Sequence, residues 1–213
     1  MKESTSKEKV LKKIRDALVN SMPPPYESVD QESSIYTPFD NELPDVTFAE
    51  AFSKVGGQFV YCANIDELNE GLNALIQQKK PENIFCAEEL FSGLLNDLGI
   101  THLSDVKELN KCDASVTGCE LLVSRLGTIV LSSKQGGGRR SFIFPPLHIV
   151  VASTRQLVGD LKEAMGFLKK KYGNGLPSLI TFMTGPSRTA DIEKTLVHGA
   201  HGPKEVYLFL VNV

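Results

Sequence analysis

The sequence is short of the features that mark metal-cluster, membrane and nucleic-acid-binding proteins. It holds only four cysteines among 213 residues, and none forms a C-x-x-C pair that could begin a zinc or iron–sulfur site. No apolar run is long enough to span a bilayer, and no apolar leader follows Met1. The formal net charge of −3 gives no electrostatic basis for nonspecific binding to nucleic acid. We therefore expect a cytoplasmic chain without membrane insertion, metal ion, bound cofactor or nucleic-acid partner.

Two segments of different character make up the chain. Residues 6–19 place Val10, Ile14 and Leu18 on one side of a predicted amphipathic helix, and a Pro-, Ser- and acid-rich arm follows it. We expect residues 1–44 to be an N-terminal helix and arm, and residues 45–213 to be the main domain. The helix either docks on its own domain or contacts a partner, which leaves a homo-oligomer open.

The main domain alternates predicted strands and helices, which favours an α/β fold with a mainly parallel sheet and helices on both sides. The run 147–152 is apolar and rich in β-branched residues, as is typical of a central strand covered on both faces. A strand at 178–183 is expected to lead into a helix over 187–198. Ligands of such folds usually bind in the loops after strands.

One such loop predicts an anion site. A Gly-Pro turn at Gly185 leads into the expected helix through Ser187, Arg188, Thr189 and Asp191. Free N–H groups at a helix start, hydroxyl groups and one guanidinium suit a carboxylate or phosphate. The alternative is a well-capped helix, with Ser187 or Thr189 as N-cap and the acids favoured by the helix dipole.

Two further loops are rich in glycine. The first carries His198 and His201 beside Gly202, where His201 is either a hydrogen-bonded loop histidine or a ligand contact, and metal binding lacks a third ligand. The second, residues 134–140, has three glycines before two arginines, and is either a flap that closes on an acid or a flexible hairpin tip. The sequence contains neither a P-loop nor a G-x-S-x-G nucleophile elbow, because Thr189 stands where the closing glycine would be.

Five motifs follow one another within residues 45–213: Val116-Thr117-Gly118-Cys119-Glu120, Leu126-Gly127-Thr128, Pro145-Pro146-Leu147-His148-Ile149-Val150-Val151, Gly185-Pro186-Ser187-Arg188-Thr189-Ala190-Asp191-Ile192-Glu193 and Gly199-Ala200-His201-Gly202-Pro203. Taken together and in this order, they closely resemble the LUD-domain family. The resemblance implies a three-layer α/β/α sandwich like that of the NagB/RpiA/CoA-transferase group. It also implies a place in a bacterial system that oxidises L-lactate to pyruvate, whose other subunits carry iron–sulfur clusters.

The resemblance adds Gly127, Thr128 and His148 to the expected ligand-binding residues. One departure is that the family often has Ala-x-Thr-Gly-Thr or Ser where this chain has Ser124-Arg125-Leu126-Gly127-Thr128, so Leu126 replaces a hydroxyl side chain. Catalytic residues stay unassigned, although Glu120 and Glu193 are formal candidates for a glutamate nucleophile.

Three functions remain open from the sequence. The first is an accessory subunit of lactate oxidation that binds a small anionic metabolite or the iron–sulfur subunits. The second is an enzyme acting on a sugar phosphate, a folate or an acyl-CoA. The third is an assembly module without catalysis.

Overall fold

The computed structural model describes residues 5–19, 43–190, 196–199 and 201–213. The chain divides into two units, 1–38 and 39–213, which are described separately. In the first unit the helix expected at 6–19 is present as α1, Ser6–Val19. No helix in these described ranges has the length and apolar character needed to cross a bilayer.

The centre of the second unit is a five-stranded sheet in which every pair of neighbours is parallel. Its order is β1 (Gln58–Cys62), β11 (Glu205–Val211), β6 (Leu147–Ser153), β3 (Ala114–Thr117) and β2 (Ile84–Phe85). The central strand predicted at 147–152 is β6, buried along most of its length between β11 and β3. The α/β class with a mainly parallel sheet is thus confirmed.

Helices α3 (Ile65–Lys79) and α4 (Glu89–Asp97) cover one face of this sheet. The side chain of Asn64 caps α3 by accepting a hydrogen bond from the N–H of Glu67 at 3.0 Å. Buried side chains of the two helices pack on alternate residues of the strands, as expected for one face of a pleated sheet. The core on this face includes Leu68, Leu72, Leu75, Phe91, Leu95, Val116, Ile149 and Phe209.

The opposite face is covered by helix α2 (Pro44–Lys54) and a second sheet. That sheet has the order β7 (Leu157–Val158), β4 (Leu121–Val123), β5 (Thr128–Ser132) and β8 (Ile180–Met183). Phe48 and Phe52 of α2 pack with β4, β5 and the inner strands of the main sheet. Helix α5 (Leu161–Tyr172) lies on the far side of the second sheet, where it buries Ala164 and Leu168.

The prediction of a helix over residues 187–198 is wrong. The described residues form two short antiparallel strands, β9 (Arg188–Ala190) and β10 (Leu196–His198). Neighbouring backbone fixes the extended start of this segment: the N–H of Ser187 donates to the carbonyl of Pro203 at 2.9 Å, and the N–H of Gly199 donates to the carbonyl of Ser187 at 2.9 Å. Tertiary pairing therefore overrides the capping pattern, and neither Ser187 nor Thr189 caps a helix.

Candidate functional site

The carboxyl ends of the parallel strands, the usual ligand position of such sheets, carry polar groups that contact one another. Glu88 follows β2, the segment from Gly118 to Glu120 follows β3, and Gln156 follows β6. The N–H of Gly118 donates to Oε1 of Glu88 at 3.0 Å, and Nε2 of Gln156 donates to the carbonyl of Cys119 at 2.6 Å. We name Glu88, Gly118, Cys119, Glu120 and Gln156 the carboxyl-edge cluster.

Glu88 is the least satisfied acid of the carboxyl-edge cluster. Only its Oε1 receives a hydrogen bond from the described residues. Burial raises the pKa of Glu88 and the nearby Glu120 carboxylate raises it further, while the bond from Gly118 lowers it. Gly118 allows this approach because a Cβ there would lie 3.1 Å from Oε2 of Glu88. A carboxyl group with a raised pKa at a strand end is suited to hold or accept a proton.

Glu120, by contrast, is fully engaged. Its side chain, with the residue only 5% exposed, accepts from Ser132 Oγ at 2.6 Å, from Lys171 Nζ at 2.7 Å and from Tyr172 Oη at 2.7 Å. Burial raises the pKa of Glu120, but these hydrogen bonds outweigh it and leave the pKa below its ordinary value. Glu120 therefore joins β5 to the end of α5 and has little freedom to act as a nucleophile.

Cys119 is also unsuited to nucleophilic chemistry. Burial raises the pKa of its thiol far above the ordinary value, and the carboxyl groups of Glu120 and Glu88 add to this. A thiol must lose its proton to attack an electrophile or to bind a metal. Among the residues that the structure describes, no group of three or more His, Cys, Asp or Glu side chains is placed to hold a metal ion.

An apolar cavity of about 210 Å³ adjoins the cluster at the carboxyl ends of β6 and β11. Gln156 lines it, and so does Phe91, whose ring is 3.1 Å from where a Cβ of Gly118 would stand. The rest of the lining is Ile65, Leu68, Leu90, Leu94, Val151, Ala152, Ser153, Val211 and Val213. The arrangement can therefore receive a small, mainly apolar group beside Gln156, the member of the carboxyl-edge cluster that lines the cavity.

The structure brings several sequence-predicted residues together elsewhere, around the end of α2. Gly185 packs against the backbone of Val55, where a Cβ would lie 2.7 Å from the Val55 carbonyl oxygen. The Arg188 guanidinium donates to that same oxygen. Gly202 packs against Ser187, with 3.2 Å between its ideal Cβ position and the Ser187 Cβ. Without a helix start, the anion site expected at these residues loses its aligned N–H groups.

The sequence-predicted residues around the end of α2 also include two at the start of strand β5, Gly127 and Thr128. Thr128 Oγ1 lies 2.8 Å from Thr184 Oγ1, just after β8. Gly127 has a φ of +59°, and a Cβ there would lie 2.2 Å from the backbone nitrogen of Phe52 in α2. Close packing against a helix backbone thus requires this glycine.

These loops lie at the amino edge of the main sheet. Pro203 stands just before β11 and Pro146 just before β6, and the N–H of Lys204 donates to the Pro146 carbonyl at 2.8 Å. The expectation that the loop after β8 lies at the ligand edge of a parallel sheet is therefore wrong, because β8 belongs to the second sheet.

His148 stands apart from the other predicted ligand residues. It is 0% exposed, and its Nε2 lies 2.8 Å from Thr117 Oγ1, which itself donates to the Gly118 carbonyl at 3.0 Å. Nε2 therefore carries the proton, and burial lowers the pKa of His148 to about 3. His201 is exposed in its loop. Asp191 and Glu193 lie outside the described residues, as does the side chain of Thr189.

Sequence reasoning missed Glu88 and Gln156 as site residues. Glu88 could have been found, because it closely follows Asn83-Ile84-Phe85-Cys86, a short apolar run that is typical of a buried strand. Gln156 was missed because residues 154–171 predict one continuous helix, whereas a turn and the short strand β7 separate β6 from α5, which begins at Leu161.

Fold and cluster together define an α/β protein whose fully parallel sheet is covered by helices on one face and by helix α2 and a second sheet on the other. The chain belongs to the LUD domain family, whose model matches residues 47–211. A solved structure described as a DUF162 family protein from Deinococcus radiodurans agrees in fold, with a TM-score of 0.61 and 19% identity over 82% of this chain and 99% of that one.

Several curated bacterial proteins are similar to this chain. The chain is 35% identical over 106 residues to lactate utilization protein C of Deinococcus radiodurans, covering 49% of each. It is 32% identical over 110 residues to the protein of that name from Bacillus subtilis, covering 51% of this chain and 46% of that one. The match to the Bacillus licheniformis protein of that name is 29% identical over 173 residues, covering 80% and 69%. The chain thus spans about half the length of the first two relatives.

Proposed function

We propose that this chain is an accessory component of a bacterial L-lactate oxidation system and acts beside iron–sulfur partner proteins. The observation that carries the proposal is the shared name of its relatives, lactate utilization protein C, in several bacteria. Membership of the LUD domain family over residues 47–211 supports it.

The cysteines are consistent with a partner that carries the electrons. Cys62, Cys86 and Cys112 are buried, and burial is the main cause that raises the pKa of each thiol, for Cys86 to about 11. Cluster ligation requires several thiolates close together. We therefore assign the iron–sulfur clusters of the proposed system to other subunits.

The test compares this chain alone with the chain mixed with the iron–sulfur proteins of the same lactate system. L-lactate-dependent reduction of an artificial electron acceptor is measured, together with co-elution in size-exclusion chromatography. We expect no turnover by the chain alone, a stable complex, and faster turnover in the mixture than with the partners alone. Lactate turnover without partners would contradict the accessory role, and an unchanged partner activity without co-elution would contradict the lactate role.

The carboxyl-edge cluster favours a second candidate, an enzyme of the NagB/RpiA/CoA-transferase-like group. The specific observation is Glu88, with a raised pKa and one carboxyl oxygen that no described residue binds, in a cluster whose Gln156 lines an apolar cavity. In this candidate Glu88 would exchange a proton with a sugar phosphate, a folate or an acyl-CoA.

A thermal-shift screen distinguishes the candidates, because a ligand stabilises the folded state in proportion to RT ln(1 + [L]/Kd). Stabilisation by coenzyme A, a sugar phosphate or a folate, and none by lactate or pyruvate, favours the enzyme. Glu88→Gln should then abolish turnover of that compound, whereas the adjacent exposed Glu89→Gln should retain it. Equal turnover by the two variants would remove Glu88 from the chemistry.

A further inference from the structure

A second cavity, of about 460 Å³, lies at one end of the second sheet. It is formed where the chain leaves β5 and where it enters β8. Its lining consists of Ser133, Lys134, Gly138, Arg139, Leu176 and Ser178. This lining contains two cationic side chains and two hydroxyl groups, and none of the residues that form it is acidic.

The two cations of this cavity have no charge partner in the part of the chain that the structure describes. Three cations elsewhere in the described part of the domain form ion pairs: Lys171 with Glu120 at 2.7 Å, Lys79 with Glu205 at 2.5 Å and Lys111 with Glu108 at 3.4 Å. The described ranges show no ion pair or side-chain hydrogen bond for Lys134 or Arg139. Two like charges that share a cavity without a counter-charge favour an anion there.

The hydroxyl wall of the cavity is fixed by backbone pairing. The N–H of Ser133 donates to the Leu179 carbonyl at 3.0 Å, and the N–H of Leu179 donates to Ser133 Oγ at 3.3 Å. Ser133 Oγ also lies 3.1 Å from Ser178 Oγ. Both serine oxygens therefore keep their positions without an ordering step when a ligand binds.

The glycine run that carries Arg139 is also held in place. A Cβ at Gly136 would lie 2.6 Å from Cγ of Glu88, and one at Gly137 would lie 2.6 Å from the Phe85 ring. The N–H of Gly138 donates to the Gln135 carbonyl at 2.9 Å. These glycines thus serve close packing against the carboxyl end of β2, and the loop holds Lys134 and Arg139 on one cavity wall.

We infer that this cavity binds a small metabolite through a carboxylate or phosphate group, held by Lys134 and Arg139. Arg139 offers a planar fork that matches two oxygens of such a group, and Lys134 adds a point charge. One serine hydroxyl group can donate to a remaining oxygen, because the hydrogen of the other is used in the bond between the two serines. The volume is within the usual range for metabolite pockets, so the anionic group would anchor a larger ligand. This inference does not depend on the role in lactate oxidation.

Calorimetric titration of the full chain at low ionic strength tests the site, with inorganic phosphate and pyruvate as probes. We expect at least one probe to bind, and Lys134→Ala and Arg139→Ala each to weaken it by about tenfold or more, the usual loss for a charge-assisted hydrogen bond. Binding of phosphate alone would identify a phosphorylated ligand, and binding of pyruvate alone a carboxylate.

Lys170→Ala and Arg155→Ala are the matched controls, because both side chains are exposed and lie outside the cavity lining. Each removes one positive charge and should leave the affinity unchanged. Circular dichroism should show all four variants folded, since the four side chains are exposed. The inference fails if neither probe binds, if the cavity variants bind like the native chain, or if the controls weaken binding equally.

Discussion

Gly127→Ala should destabilise the domain far more than Gly99→Ala, although both residues have similar positive φ angles of +59° and +69°. A non-glycine residue in this left-handed region costs about 1–2 kcal/mol. At Gly99 the new methyl group meets no atom within 4 Å, so this conformational strain is the whole expected loss.

At Gly127 the methyl group would lie 2.2 Å from the backbone nitrogen of Phe52 and 2.6 Å from the carbonyl carbon of Ala51. Normal contact needs about 3.5 Å or more, and a helix backbone cannot turn aside as a side chain can. Helix α2 must shift, and it is anchored by Phe48 and Phe52, both 0% exposed. Overpacking of this kind costs about 1–3 kcal/mol, which with the strain gives a total loss of roughly 2–5 kcal/mol.

Urea denaturation followed by far-UV circular dichroism measures both variants, since the chain contains no tryptophan to report by fluorescence. The free energy of unfolding should be lower for Gly127→Ala than for Gly99→Ala by about 1–3 kcal/mol at an unchanged m value. Losses that agree within experimental error would refute the close packing of Gly127 against α2.

Three further predictions follow from the polar contacts. The pKa of Glu120 is lowered in the folded state, so its stabilisation is present above the unfolded Glu pKa and is lost as the pH falls through the folded pKa. Glu120→Gln should lower the free energy of unfolding by about 2 kcal/mol at pH 7 and make the urea midpoint depend less on acid pH. Parallel pH profiles of the variant and the native chain would contradict this. The NMR signals of the His148 imidazole should show a neutral ring from pH 8 to pH 5, because burial lowers its pKa to about 3. The native chain should lose stability as the pH falls from the unfolded His pKa of about 6.5 toward 3. A titration of His148 near pH 6.5 in the folded chain would contradict its burial. Arg188→Ala should lower the free energy of unfolding, measured by heat or urea, by only about 0.5–1.5 kcal/mol, because the exposed guanidinium donates to the Val55 carbonyl. A loss above about 3 kcal/mol would contradict this minor role.

Local patterns were sufficient to predict the parallel half of the fold. The apolar, β-branched run at 147–152 is typical of a strand covered on both faces, and β6 is that strand. The pattern Asn64-x-x-Glu67 is typical of a helix start and does cap α3, because the cap is made between residues close in sequence. The strand at 178–183 was also present, as β8.

The hairpin of β9 and β10 could not be predicted in this way. Ser187 followed by Thr189 and acids is a good helix start on local grounds, but the partner that decides the outcome, the Pro203 carbonyl, is distant in sequence. The membership of β8 in the second sheet was equally hidden, and it decided which edge the predicted loops occupy.

The role of the glycines at residues 136–138 also depends on contacts that are distant in sequence and could not be predicted from the local pattern. Their sequence indicated either a mobile flap or a flexible tip, since glycine is common in both. Gly136 and Gly137 are instead required by Glu88 and Phe85, which approach them from another strand end. Only the fold shows that these glycines fill a space in which no side chain fits.

The place of β11 has a consequence for biosynthesis. It pairs with β1 on one side and β6 on the other, yet it leaves the ribosome after every other described strand. Until then a nascent chain holds two unpaired strand edges, one on β1 and one on β6, a state prone to aggregation. Folding of the sheet is therefore expected to wait for β11 and to be slow, and products that stop before Glu205 should be captured by chaperones or degraded.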